Sequence, residues 1–310
     1  MTTRPEESIA AAHDRFGAHR GYRALHAKGT LFTGTFRPTP DGARLSRAAH
    51  LHAESVPLTA RLSNGSGDPG DPDHGFDVRG LAVKLYLPDG SKTDIVAQSL
   101  PFFAVSDVAA FNEQLRASKP GLERAWRMPL FLARNPRVAL DLPRLLPHLR
   151  PPASYATHRY HALHAFKWID PDGGERYVRY VLAPEAGEAS VSPGEARKRG
   201  RDYLRAEILE RVARTPVRFA LELQIAGPGD DPDDPSKRWP DDRERVVAGT
   251  IDLTEPETDR EQGDDVLVFD PTRVVDGIEL TDDPILHFRT RAYSVSVLER
   301  TGVQRPEKLA

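Results

Sequence analysis

Arg289 and Tyr293 stand four residues apart, the spacing that sets two side chains one turn apart on one helix face. A guanidinium held there favours the ionised phenol, because an adjacent positive charge stabilises the charged form. The product is an anionic oxygen able to ligate iron. Taken alone the pair is ordinary, since a tyrosine within 289–298 also reads as a packed aromatic with a hydrogen-bonded hydroxyl. Near the other end of the chain, His26 offers acid–base chemistry, because an imidazole with an unperturbed pKa near ~6.5 exchanges a proton close to neutrality. A lone histidine beside a strand is more often structural. His158, His161 and His164 recur every third residue and invite comparison with a zinc site. Helical zinc sets pair histidines at i,i+4 with a glutamate between them, and strands send alternate residues to opposite faces. No carboxylate stands at the needed spacing, so a packed or solvated histidine strand is expected.

These residues need elements to hold them. Apolar and polar residues roughly alternate from Leu25 to Phe36 and from Val56 to Leu62, as in half-buried strands. Val78 to Leu87 is more continuously apolar, reads as a buried strand and ends at the turn Pro88-Asp89-Gly90; Lys92 to Val96 fits its hairpin partner. Asp107 is placed to cap a helix through Leu115. A Pro- and Arg-rich helical stretch spans Pro120 to Pro152. Tyr160 to Ile169 and Arg176 to Leu182 flank the hairpin turn Pro171-Asp172-Gly173-Gly174. Ser192-Pro193-Gly194-Glu195 supplies cap, first-turn proline and capping-box glutamate for a helix reaching about Arg214. Val217 to Ile225 and Val246 to Leu253 are two further strands. The Pro- and Asp-crowded 227–242 segment between them is loop, and its acidic spacing lacks the EF-hand pattern. Strands at both ends separated by helices indicate an antiparallel α+β fold. No repeat or linker divides the chain, so residues 1–310 are expected to form one domain, with 1–20 a short helix or arm.

The 310 residues carry 43 basic and 46 acidic side chains, a net charge of −3, so no global basic field points to nucleic acid. The cluster Arg197, Lys198, Arg199 and Arg201 reads as a solvated helix face. No run of about 18 apolar residues occurs and the N-terminus has no apolar leader core. A cytoplasmic protein with no membrane partner is expected.

Ordered blocks then change the weight of the first pair. Arg23-Ala24-Leu25-His26-Ala27-Lys28-Gly29 resembles the distal-histidine segment of the haem catalase family, and Arg61-Leu62-Ser63-Asn64 resembles the segment that follows it there. Phe76 to Lys84 is similar to that family's Arg-Gly-Phe-Ala-Val-Lys strand. Asp94-Ile95-Val96, Pro101-Phe102-Phe103 and Asp107 fall at the family's mutual spacing. Asp234 to Pro240 resembles its Asp-Pro-Thr-Lys-x-Trp-Pro loop, and Phe269-Asp270-Pro271 with Gly277-Ile278-Glu279 leads into the tyrosine helix. The blocks keep their order from about Arg23 to Arg300.

The resemblance implies an antiparallel eight-stranded β-barrel with flanking helices, binding haem b; without cysteine the haem is not attached through Cys-x-x-Cys-His. It makes Tyr293 the axial iron ligand and Arg289 the group that holds it as phenolate. His26 becomes the distal acid–base residue, oriented by Ser63, with Gln98 in the place of the distal asparagine. Arg23, Arg61 and Arg300 match the arginines that bind haem propionates, as a bidentate guanidinium–carboxylate pair suits, and Phe111 matches a phenylalanine stacked near the haem. The implied substrate is hydrogen peroxide, which leaves a ferryl haem. Two methionines and no cysteine suit contact with peroxide, although the bias toward Ala, Arg, Asp and Pro accounts for this equally.

Several positions depart from the family pattern. Gln98 carries its amide one methylene further out, Leu25 stands where valine is usual, and Ala104 replaces a second phenylalanine. Val181 takes the place of a proximal histidine that pairs with the Arg289 counterpart. A wider pocket with a displaced donor favours small organic reductants over a second peroxide. The expectation is a haem peroxidase with weak or residual catalase activity, assembled as a homodimer. The alternatives are a true catalase, an allene oxide synthase-like hydroperoxide enzyme and a non-catalytic haem binder or sensor.

Overall fold

A computed structural model describes residues 3–257 and 267–301. Its frame is eight strands: β1 (Gly29–Pro38), β2 (Val56–Asn64), β3 (Arg79–Tyr86), β4 (Lys92–Gln98), β5 (Tyr160–Ile169), β6 (Glu175–Pro184), β7 (Val217–Ile225) and β8 (Arg245–Glu257). They join in the order β4-β3-β2-β1-β8-β7-β6-β5, and β4 pairs with β5 to close the ring. Neighbours run antiparallel throughout. Closure leaves the barrel without a free edge. A short β9 (Ile278–Leu280) pairs with β5 beside it. The expected barrel is therefore present.

The period-two pattern decides what lies inside. Phe32 and Phe36 of β1, Leu58, Ala60 and Leu62 of β2, and Leu81, Val83 and Leu85 of β3 belong to one buried cluster to which all eight strands contribute. Burying each such side chain contributes about 1.5–3 kcal/mol. The alternate residues face outward. Register aligns them in rows: Gly29, Ser63, Gly80 and Gln98 face one another across β1 to β4, and Leu31, Arg61, Ala82 and Val96 form the next row. Gln98 also pairs with His161, the single rung that joins β4 to β5.

Helices cover the outside: α1 (Pro5–Phe16), α2 (Pro40–Leu45), α3 (Val108–Ala117), α4 (Arg124–Arg134), α5 (Pro136–Leu145), α6 (Pro193–Arg199), α7 (Tyr203–Arg214) and α8 (Pro284–Thr301). Asp107 caps α3, its Oδ1 accepting from the Ala110 amide at 2.8 Å. The single helix expected from Ser192 to Arg214 is two. Gly200 adopts φ +106°, a left-handed value open to glycine, and ends α6 before α7 begins. The helix α1 packs on both α3 and α8, which brings the two ends of the chain together.

Candidate active site

The tyrosine and its arginine meet as their spacing requires. On α8 the Arg289 side chain donates twice to the Tyr293 hydroxyl oxygen, from Nε at 2.9 Å and from Nη2 at 2.5 Å. Both of these donors belong to one guanidinium and converge on one phenol oxygen. The third guanidinium nitrogen, Nη1, lies 2.9 Å from Nε2 of His164, whose Nδ1 lies 2.6 Å from the Asp283 carboxylate. Asp283 fixes the tautomer: Nδ1–H donates to the carboxylate and Nε2 accepts from Arg289. The chain Asp283–His164–Arg289–Tyr293 is thus continuous. His164 and Asp283 are buried, and burial holds the imidazole below its usual pKa while the hydrogen bond to Asp283 opposes that. The other Asp283 oxygen accepts from the amides of Ile285 and Leu286, so the same carboxylate caps α8.

This corrects one expectation. Val181 does not stand beside Arg289; it lies within β6, paired with Glu222 of β7, and His164 is the histidine that Arg289 meets. The 158–164 run does not follow simple alternation: His158 precedes β5, and the register of β5 against β6 shifts between His161 and Ala165. Among the described residues no group of three or more His, Cys, Asp or Glu side chains is arranged to hold a metal ion.

The distal side is built on the outward row of the barrel. His26 precedes β1 and has φ +55°, a strained value for a side chain-bearing residue. Arg61 donates to the carbonyls of His26 and Ala27 at 2.9 and 3.1 Å, and the His26 amide donates to Gly65. Over the row, Nδ1 of His26 sits 3.0 Å from the Ser63 hydroxyl, as expected of the orienting serine. The ring lies against Gly80, where a Cβ would come within 2.9 Å of it. Burial, with the charges of Arg61, Arg289, Arg23 and Arg79, lowers the His26 pKa to about 3. The imidazole is therefore neutral across the physiological range. Gln98 shares the row one strand beyond Gly80, about 5 Å away along the hydrogen-bonding direction.

Both sides belong to one assembly. Arg289 is among the charges felt by His26. A single apolar cluster joins Leu25, next to His26, with Val295, two residues past Tyr293, around Phe111 and Leu115 of α3. Phe111 also meets Phe103 at 5.7 Å. Ala104 packs near Leu100, Phe102 and Leu145. Thr290 donates to Asp270, whose amide donates to Asp94, and Asp94 receives Lys84 at 2.6 Å. That ladder ties α8 to the barrel wall.

The donors fit a carboxylate-bearing, iron-containing ligand such as haem. Arg300 stands seven residues after Tyr293, about 10 Å along the same helix face. Its Nε is buried with no hydrogen-bond partner among the described residues, and burial lowers its pKa. An anionic group at Arg300 would satisfy it. Arg23 donates to the Leu267 carbonyl at 3.0 Å. The sequence reading missed Arg79, His164, Asp283 and the spacing role of Gly80. Asp282-Asp283-Pro284 carried a usable signal, an acidic cap before a first-turn proline.

Comparisons with known proteins agree with this geometry. The family model described as Catalase matches residues 13–307. A catalase-related peroxidase of Mycolicibacterium paratuberculosis is 48% identical over 97% of this chain and 96% of its own length. One from Synechococcus elongatus is 31% identical, covering 96% and 88%. The crystal structure of a fungal catalase superposes with a TM-score of 0.82 at 24% identity, over 92% of this chain and 60% of that one, and shares the fold. The family model spans nearly the whole chain and the relatives cover it almost end to end: the chain belongs to the catalase family.

Proposed function

We propose that this protein is a haem-dependent peroxidase that uses hydrogen peroxide to oxidise small organic donors and retains weak catalase activity. One observation carries the reading: the relay Asp283–His164–Arg289 ends in two donors on the Tyr293 oxygen, while a neutral His26 lies within electrostatic reach of the same arginine. Haem bound there would supply the two electrons that cleave the peroxide bond, and the organic donors would later return them. The protein's own residues do the rest. Tyr293, its oxygen held by both Arg289 donors, would be the residue that holds the iron. His26, with Nδ1 engaged by Ser63, has Nε2 to take the proton of an incoming peroxide and return it to the departing oxygen. Proton transfer of that kind contributes ~10²–10⁴-fold. Arg300, with Arg23 and Arg61, would bind the haem carboxylates.

Gln98 sets the balance between the two activities. A donor displaced by one methylene weakens the handling of a second peroxide, since a well-placed donor near a reacting oxygen is worth about 3 kcal/mol. The relatives named catalase-related peroxidases support this choice over a lipid hydroperoxide isomerase or a passive haem binder. The test compares oxygen release with oxidation of a phenolic dye by one haem-loaded sample. Dye oxidation is expected to dominate, and oxygen release at a rate that outpaces it would overturn the peroxidase reading.

A further inference from the structure

The α4–α5 hairpin is apolar on two sides. Its inward side is Met128 and Phe131 of α4 and Val138 of α5, packed against Val105 and Ala110. A second apolar set points away from the protein: Leu122 is 94% exposed, Leu140 74% and Trp126 55%, with Leu130, Leu142 and Leu146 also exposed. Of the eleven large apolar side chains exposed among the described residues, six lie within this one stretch. Leu122, Trp126 and Leu130 recur every fourth residue and make a stripe. Concentrated apolar exposure of this kind marks a contact surface.

The charge within it is predominantly basic. Residues 119–150 hold seven lysines and arginines against Glu123 and Asp141, in a chain whose net charge is −3. Asp141 is shared by Arg137 and Arg144; Lys119, Arg127 and Arg134 pair with Asp14, Glu123 and Glu113, and Arg124 and Arg150 make no ion pair among the described residues. A cleft of about 370 Å³ opens beside α5, lined by three arginines, Arg137, Arg144 and Arg238, and one carboxylate, Asp141, with Phe102, Leu140 and Ser236. Leucines and a tryptophan flanked by arginines are what an in-plane interfacial helix presents to a bilayer.

We propose that this hairpin docks the protein on an anionic membrane surface, with Leu122, Trp126 and Leu140 entering the interface and the arginines binding lipid phosphates. Charge selects this occupant. A second copy using the same face would set one basic hairpin against another, whereas an anionic leaflet complements it. The sequence reading of no membrane partner rested on the lack of a spanning run, and no described helix is long and apolar enough to cross a membrane. Surface attachment needs no span.

Flotation of the haem-loaded full chain tests this. The protein is expected to float with phosphatidylcholine vesicles containing about a third phosphatidylglycerol and not with phosphatidylcholine alone, each neutralised arginine weakening partition about fivefold. High salt should release it. Trp126 is the one exposed tryptophan of the three, Trp168 and Trp239 being buried, so its emission should shift to the blue on binding. Leu140→Asp and the pair Arg137→Gln and Arg144→Gln should lose flotation with an unchanged absorption spectrum and unchanged peroxide turnover. Failure to float on the anionic vesicles would overturn the proposal. So would sedimentation showing a dimer that Leu140→Asp converts to monomer, which would assign the face to a second copy.

Discussion

Adding one methyl group at Gly80 should disable the distal histidine without touching the tyrosine side. A Cβ there would lie 2.9 Å from two ring atoms of His26 and 2.8 Å from the Ser63 hydroxyl. Favourable carbon contacts begin near ~3.5 Å, so about 0.6 Å or more must be relieved by movement. The ring has little freedom to give: it is half-buried, its backbone is held at φ +55° and Arg61 grips its carbonyl. The ring and the serine must therefore separate or tilt together. Misplacement approaching 1 Å costs about 10²-fold in rate, and the overpacking itself costs about 1–3 kcal/mol of stability. The assay is stopped-flow peroxide consumption by Gly80→Ala at matched haem content. A loss near 100-fold with haem retained is expected. Gly194→Ala is the control, because its Cβ would meet nothing closer than 3.9 Å. Turnover by Gly80→Ala within twofold of the parent would refute the view that this row of the barrel positions the base.

Three further expectations follow from the same geometry. Tyr293→Phe removes the oxygen on which Arg289 converges, so haem should be lost or its absorption spectrum changed, whereas an unaltered spectrum would make Tyr293 a packing residue. Asp283→Asn keeps a competent helix cap but removes the charge behind His164, so it should shift the haem spectrum with little change in melting temperature; Asp283→Ala should do both, losing about 1 kcal/mol for the cap alone. Acid stability is the third. His26 and His161 are both lowered to about 3, burial being the main cause, while an unfolded chain holds them near ~6.5. Above ~6.5 both states are neutral and stability is insensitive to these groups. As the pH falls from ~6.5 toward 3 only the unfolded state takes up the protons, so each histidine costs up to about 1.4 kcal/mol per pH unit. Urea titrations over that window should show the slope, and His161→Gln should reduce it by one proton.

Much of the frame could be read from alternation. The limits of the strand at Tyr160–Ile169 and of that at Val217–Ile225 are those the pattern gives, because turn residues bound both. Barrel closure could not be read, since a single rung between Gln98 and His161 completes it and no periodicity encodes a partner. Within the site, Arg289 and Tyr293 are legible because one helix supplies both. The contact between His164 and Arg289 joins residues 125 apart in sequence, and local spacing carries no trace of it. The placement of Val181 failed for that reason: β6 reads as a plausible neighbour until register shows which strand carries the histidine. Gly80 was legible only as part of a strand block, and the space it leaves for the His26 ring shows only in three dimensions.

The double duty of Asp283 has a consequence for how the protein matures. One carboxylate both begins the last helix and secures the far end of the relay, so the proximal oxygen acquires its donors only when that first turn has formed. A chain frayed there would leave His164 without the carboxylate that orients it toward Arg289, so helix start and relay stand or fall together.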